Sequence, residues 1–212
     1  MPAPNPAAPH PTAPNPAAPN PAAPNPAALD FLLNRRSRPA KLFSGPVPDR
    51  DQLTQILTAA TRVPDHGKLE PWRLVVVQTT GMAKLADLAA AHAQSIGADA
   101  EKIAKARGQF DLGRLAVVVI SAPKMSDKVP AIEQVLSAGA LCMNILNAAE
   151  AAGWGANWLT GWPSHDPAFI AAAFGCTPSE TVAGIVHIGT PAPDGPDRPR
   201  PDLDRLIQWD AS

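Results

Sequence analysis

The sequence predicts an α+β domain in which a mixed β-sheet is flanked by helices, and three observations predict it. Four short runs read as strands: Leu74 to Gln78, Leu115 to Ile120, Ala156 to Thr160 and Thr181 to Ile188. Stretches of helical periodicity separate them, among them Asp51 to Thr61, Met82 to Ala93 and Ala98 to Gly108. One further stretch, Ala131 to Ala152, is apolar on nearly every side and would be about 33 Å long as a helix.

Composition narrows the class. A chain of 212 residues with 45% hydrophobic side chains can build one sizeable core. A net charge of −1 gives no electrostatic case for a nucleic-acid or membrane-surface partner. Cys142 and Cys176 both sit in apolar helical patterns, where small buried hydrophobes are expected rather than a disulfide, and no Cys/His metal cluster is present. The N-terminus has neither a basic n-region nor an apolar h-region, so a cytoplasmic protein is expected.

Residues 1–28 are of different material. Pro-Asn-Pro-Ala-Ala recurs from Pro4, Pro14, Pro19 and Pro24, and 11 of the 26 prolines fall here, with His10 the lone titratable side chain. Such a tract has no apolar face to bury and is expected to be a solvated, polyproline-II-like arm, leaving residues 29–212 as the folded domain. In that domain, Asp30 is placed to cap a short helix whose apolar side is Phe31, Leu32 and Leu33. Arg35 to Arg38 follow at its end, where cations suit a helix C-terminus. Guanidinium forks also match phosphate oxygens, and Ser37 adds a hydroxyl at the same turn.

Pro48-Asp49 opens the next helix, with Gln52 as capping-box partner and Leu53, Ile56, Leu57 and Ala60 on one face. That helix delivers the densest polar cluster in the chain, Arg62-Val-Pro-Asp-His-Gly-Lys-Leu-Glu-Pro-Trp-Arg73, in a helix-to-strand loop stiffened by Pro64 and Pro71. On the residues alone, solvated charges on a surface loop account for it. His66 beside Asp65 is also open to a tautomer-fixed base or half of a metal site, though no second ligand stands at i+4. Trp72 is expected in the core, with one partner for its N–H.

Beyond the strand ending at Gln78, Lys102, Lys105 and Arg107 form a solvated face of the second alanine-rich helix, and Lys124 to Lys128 a polar loop. Glu133, Gln134, Asn144, Asn147 and Glu150 argue against a membrane span for Ala131 to Ala152. A helix wrapped so fully by apolar side chains points to an interface between two copies of the chain. Gly153 and Gly155 end it, and Trp162 opens a loop after the next strand. Asp166-Pro167 starts a helix with Phe169, Ile170 and Phe174 inward and Gly175 at its end. His187 reads as a satisfied core or edge histidine. After a proline-rich span from Thr190 to Pro201, the tail with Leu203, Leu206, Ile207 and Trp209 is expected to pack on a partner subunit.

Two stretches carry a resemblance. Asn34-Arg35-Arg36-Ser37-Arg38 and Arg62-x-Pro64-Asp65-His66 with Pro71-Trp72-Arg73 resemble the nitroreductase family of FMN-dependent oxidoreductases, in particular its small, short-chain bacterial subgroup. The likeness runs from Leu29 to about Thr190, with further matches at Lys128-Val129-Pro130, Ser137-Ala138-Gly139, Trp158 to Gly161 and Gly189-Thr190-Pro191. The resemblance implies an intertwined homodimer with its flavins at the subunit boundary. It implies that Arg35 and Ser37 hold the FMN phosphate and ribityl end, with Arg36 also among the cofactor-binding residues. It implies that Arg62 and His66 contact FMN from the second subunit. Trp158, Leu159 and Thr160 would touch the flavin, partly through backbone groups, and Lys128 would lie on the substrate side.

Leu159 departs from the family pattern, which has a basic residue there, and this bears on nucleotide preference and substrate charge. The implied activity is ping-pong electron transfer from NADH or NADPH to a nitroaromatic, quinone or similar small acceptor. A flavin-sequestering protein without turnover, or a related flavin chemistry such as reductive dehalogenation, would keep the same anchors. No GxGxxG fingerprint supports a dinucleotide fold.

Overall fold

The structure is a computed structural model that describes residues 23–111, 113–191 and 197–210. Most of the proline arm, including His10, and part of the proline-rich span after Thr190 lie outside the described residues. The chain divides into two units at Asn34/Arg35. In the first, α1 (Pro26–Asn34) begins within the stretch assigned to the arm. Asp30 does not cap it. The Asn25 side chain accepts from the Ala28 amide at 3.1 Å, and Asp30 sits inside the helix, accepting from Asn34 Nδ2 at 2.8 Å. Leu29, Leu32 and Leu33 are exposed.

The second unit is built on a four-stranded sheet, β1 (Trp72–Gln78), β2 (Leu115–Ser121), β3 (Gly155–Leu159) and β4 (Thr181–Gly189), in the order β1-β2-β4-β3. All three pairings are antiparallel, where the sequence predicts a mixed sheet. The connections explain it. Between β1 and β2, helices α3 (Thr79–Ser95) and α4 (Ala100–Asp111) pack on each other and return the chain to the end it left, so Gln78 pairs with Leu115.

Strand alternation makes two cores. Ala116, Val118 and Ile120 face a cluster with α3, Phe110 of α4, and Phe169, Ile170 and Phe174 of α6 (Pro167–Phe174). Leu115, Val117 and Val119 face the other cluster, with α2 (Arg50–Ala60) and α5 (Ala131–Ala151). Helices on both faces leave every residue of β2 buried, which is why its sequence is an unbroken apolar run.

The capping box predicted for α2 is present: Asp49 accepts from the Gln52 amide at 2.8 Å and its own amide donates to Gln52 Oε1 at 3.0 Å. Replacing Asp49 with Ala is expected to cost about 1 kcal/mol. In urea unfolding this appears as a lower midpoint at unchanged slope.

Helix α5 is not buried all round. Leu141, Cys142 and Ile145 face the sheet, while Ile132, Val135, Leu136 and Met143 are exposed. The tail helix α7 (Leu203–Leu206) and Trp209 likewise present apolar side chains to solvent. Both cysteines are free and buried, and burial pushes the Cys142 thiol up to about 12. His187 departs from expectation. It is 2% exposed, its Nδ1 has no hydrogen-bond partner among the described residues, and burial pushes its pKa down to about 4.

Candidate functional site

Three chain segments that are remote in sequence close one charged cavity. Ser44 and Thr190 exchange backbone hydrogen bonds, each 3.1 Å. This bridge brings the stretch after β4 back beside the segment that leaves the Arg35–Arg38 turn. Phe43 seals the junction, lying so close to Gly155 and Gly189 that a Cβ on either would come within 2.9 Å of its side chain. The resulting cavity, about 340 Å³, is lined by Arg35, Arg36 and Ser37, by Asn157 and Trp158 of β3, and by Arg198 and Arg200.

Its electrostatics are specific. Arg35 forks onto Glu150 of α5, Nε to Oε2 at 2.9 Å and Nη2 to Oε1 at 3.0 Å, and Nη2 also donates to Ser37 Oγ at 3.0 Å. Arg36 Nη1 donates to the Ser37 carbonyl at 2.8 Å, and Asp197 lies 3.6 Å from Arg36 Nε and 3.3 Å from Arg200 Nη2. Four guanidiniums against Glu150 and Asp197 leave a formal excess of two positive charges among the described residues. That is the charge of a phosphate monoester dianion, and forked donors suit its oxygens.

The β3 side of the cavity is shaped by a missing side chain. Trp158 lies across Gly184 of β4, where a Cβ would collide with the indole, and its Nε1 donates to the Ala183 carbonyl at 3.3 Å. The ring is thus held flat with part of its surface exposed at the cavity. On the neighbouring residue, Asn157 Oδ1 is buried with no partner among the described residues, and alternation along β3 puts this side chain on the face of the sheet opposite Trp158, that of its cross-strand partner His187.

The remaining predicted residues are elsewhere in this chain. Leu159 is half-buried at the end of β3 and Thr160 is exposed beyond it. Arg62 and His66 are exposed on the loop between α2 and β1, and His66 Nδ1 lies 2.7 Å from Glu133 Oε2. Lys128 is exposed in a second loop that abuts the first, since a Cβ on Gly67 would meet Val129 at 3.4 Å. Trp72 has its expected partner, donating to Ser137 Oγ at 3.2 Å. Arg73 is bound to Glu180 at 2.8 Å, and this contact holds the Glu180 carboxyl down at about 2.

Sequence reasoning gave no site role to Arg198 or Arg200, and named Glu150 only as a charge unsuited to a membrane span. The only signal was a pair of arginines inside a proline-rich span, and nothing local says where that span returns. A larger cavity, about 660 Å³, runs along the outer edge of β1 between α2 and α3 and is walled by Leu53, Leu57, Val75 and Phe174. It lacks the convergence of forked donors seen in the smaller one.

The α+β fold carries a cavity whose converging guanidiniums have the geometry that suits an anion. The chain belongs to the nitroreductase family, whose model matches residues 32–190. It is 35% identical over 164 residues to YdjA of Escherichia coli (strain K12), which carries the name of an inferred NAD(P)H nitroreductase, covering 77% of this chain and 88% of that one. Among solved structures it is similar to an FMN and NADPH-dependent nitroreductase, NfnB, of Sphigopyxis sp. strain HMH, with a TM-score of 0.68 and 20% identity over 86% of this chain and 98% of that one. A nitroreductase-type protein of Desulfovibrio desulfuricans in complex with FMN gives 0.67 and 22% over 89% and 99%.

Proposed function

We propose that this protein is an FMN-dependent oxidoreductase that draws hydride from NADH or NADPH and delivers it, in a second half-reaction, to a nitroaromatic, quinone or similar small acceptor. The observation that carries the reading is the cavity in which Arg35, Arg36, Arg198 and Arg200 converge on Ser37, Asn157 and Trp158. Family membership and the names of the relatives point to the same chemistry.

The residues fit FMN. Arg36, Arg198, Arg200 and Ser37 would hold its phosphate, with Arg35 setting the Ser37 hydroxyl. The segment Trp158 to Thr160 would align the ring, partly through backbone groups. When bound, FMN supplies the hydride-accepting and hydride-donating chemistry that no side chain here can perform. Leu159 contributes no charge to the site. Recognition of an acidic acceptor or nucleotide phosphate would then fall to other residues, with Lys128 the candidate on the substrate side.

Arg62 and His66 do not line the cavity of their own subunit, and in this proposal they serve the site of a second copy. The exposed apolar stripe of Ile132, Val135, Leu136 and Met143 on α5, and the exposed tail with Leu203, Leu206 and Trp209, support a homodimer that would cover them. Among the described residues no helix is long and apolar enough to cross a membrane.

The test is a visible absorption spectrum of the FMN-loaded protein under anaerobic conditions, before and after NADH and then NADPH. Bleaching of the bound flavin by either nucleotide is the expected result and reports the donor. A flavin spectrum that neither nucleotide bleaches would replace the enzyme with a flavin-holding protein. Replacing Arg198 and Arg200 together with Ala is expected to weaken FMN binding about 100-fold, at roughly tenfold for each charged hydrogen bond lost. Titration of the apoprotein with FMN measures it.

A further inference from the structure

The loop between α2 and β1 adopts a backbone that needs outside support. Gly67, Lys68 and Glu70 have φ of 75°, 54° and 46°, and the last two are side-chain-bearing residues in left-handed conformation. Part of the support is internal: the Asp65 carboxylate accepts from the amides of Leu69 at 3.0 Å and Glu70 at 2.9 Å. The rest comes from α5. Ser137 Oγ donates to the Pro64 carbonyl at 2.7 Å, and Asn144 Nδ2 donates to the Ala60 carbonyl at 2.9 Å. Glu133 Oε2 meets His66 Nδ1 at 2.7 Å. Glu133, Ser137 and Asn144 are spaced four and then seven residues apart, which puts them in one row along the helix. Ser137 and Asn144 hold backbone, whereas Glu133 holds a ring.

We propose that Glu133 is the positioning residue for His66, fixing the imidazole with its proton on Nδ1 so that Nε2 faces the ligand as a hydrogen-bond acceptor whenever the ring is neutral. An ionised carboxylate can only accept, so the nitrogen it touches must carry the hydrogen. The tautomer of a histidine is set by the hydrogen bond its other nitrogen makes. Asp65, the acid adjacent to His66 in sequence, is engaged by the two backbone amides. The consequence for flavin chemistry rests on the reading that His66 reaches a partner's cofactor.

The two ideas fail separately. With histidine labelled in its ring nitrogens and spectra taken in mildly alkaline buffer, the chain's five histidines can be separated and His66 assigned by its loss in His66→Gln. The expected result is a proton on Nδ1 in the parent protein, a shift to Nε2 in Glu133→Ala, and the parent pattern restored in Glu133→Gln, whose amide oxygen still accepts. A proton on Nε2 in the parent, or an unchanged ring in Glu133→Ala, would overturn the assignment. FMN titration of the same dimeric proteins is the second readout. His66→Gln and Glu133→Ala should each weaken binding up to about tenfold, and the double variant no more than the worse of the two. If the tautomer switches while FMN affinity ignores both substitutions, the positioning pair stands and His66 is not a flavin contact.

Discussion

Replacing Arg35 with Ala should cost about 3 kcal/mol of stability as well as cofactor affinity, and the two losses have different causes. Arg35 and Glu150 are only 15% and 10% exposed and meet through two parallel hydrogen bonds of 2.9 and 3.0 Å. Removing the guanidinium strands a carboxylate where water reaches it poorly, and breaking such a pair from one side costs about 3–5 kcal/mol, whereas removing both partners costs much less. Residual exposure places the effect at the lower end. Arg35→Met combined with Glu150→Leu should therefore recover most of the lost stability in denaturant unfolding, and the double-mutant cycle isolates the pair.

Cofactor binding follows another pattern. If Arg35 reaches phosphate or holds the Ser37 hydroxyl toward it, FMN affinity stays low in the double variant although the fold is restored. Glu150→Gln, which keeps an acceptor for the arginine, should leave FMN binding near the parent value. An Arg35→Ala protein as stable as the parent would show that the pair contributes nothing. A double variant that binds FMN normally would remove Arg35 from the site.

The fold was legible where local pattern is enough. The unbroken apolar run of β2 and the Asp49/Gln52 box fix elements that need only neighbours in sequence. The Arg35–Ser37 turn was visible for the same reason, because its chemistry is contained in three consecutive residues. What the sequence hid depends on chain return. Glu150 is 115 residues from Arg35, and Arg198 and Arg200 join the cavity from more than 160 residues further along the chain than the Arg35–Ser37 turn. Glu133 and His66 sit 67 residues apart, on elements whose adjacency no periodicity announces. Strand direction was hidden for the same reason: the α3–α4 pair returns the chain to the end of β1 that it left, so β2 pairs antiparallel, Gln78 against Leu115.

Acidification should destabilise the protein by about 2.5 kcal/mol between neutral pH and pH 4.5, and His187 should account for it. The residue sits on β4 opposite Asn157 on β3 and Ala116 on β2, with Met82 and His187 both about 3 Å from where a Gly113 Cβ would lie. It is only 2% exposed, and burial lowers its pKa from 6.5 to about 4. Above 6.5 neither folded nor unfolded chain is protonated there and no stability is lost. Below 6.5 the unfolded chain takes up a proton that the folded chain refuses until about pH 4, so stability falls through that window.

Each pH unit in the window is worth about 1.4 kcal/mol. The lowered carboxyl of Glu180, near 2, begins to lose its contribution as pH approaches its ordinary 4.5, but it does so equally in parent and His187 variant, so the difference between the two proteins reports the histidine. Asp166 is also lowered from an ordinary 3.8, chiefly by the His92 ring, whose Nε2 lies 3.0 Å from its carboxylate, and this too acts below the window. His187→Leu, which cannot take a proton, should flatten stability between pH 6.5 and 4.5. At pH 7 it should cost little or even stabilise, because the unpartnered Nδ1 is replaced by carbon in an apolar setting. Urea unfolding of parent and variant at the two pH values decides it. An equal slope in both proteins would mean that the buried histidine is not the acid-sensitive group.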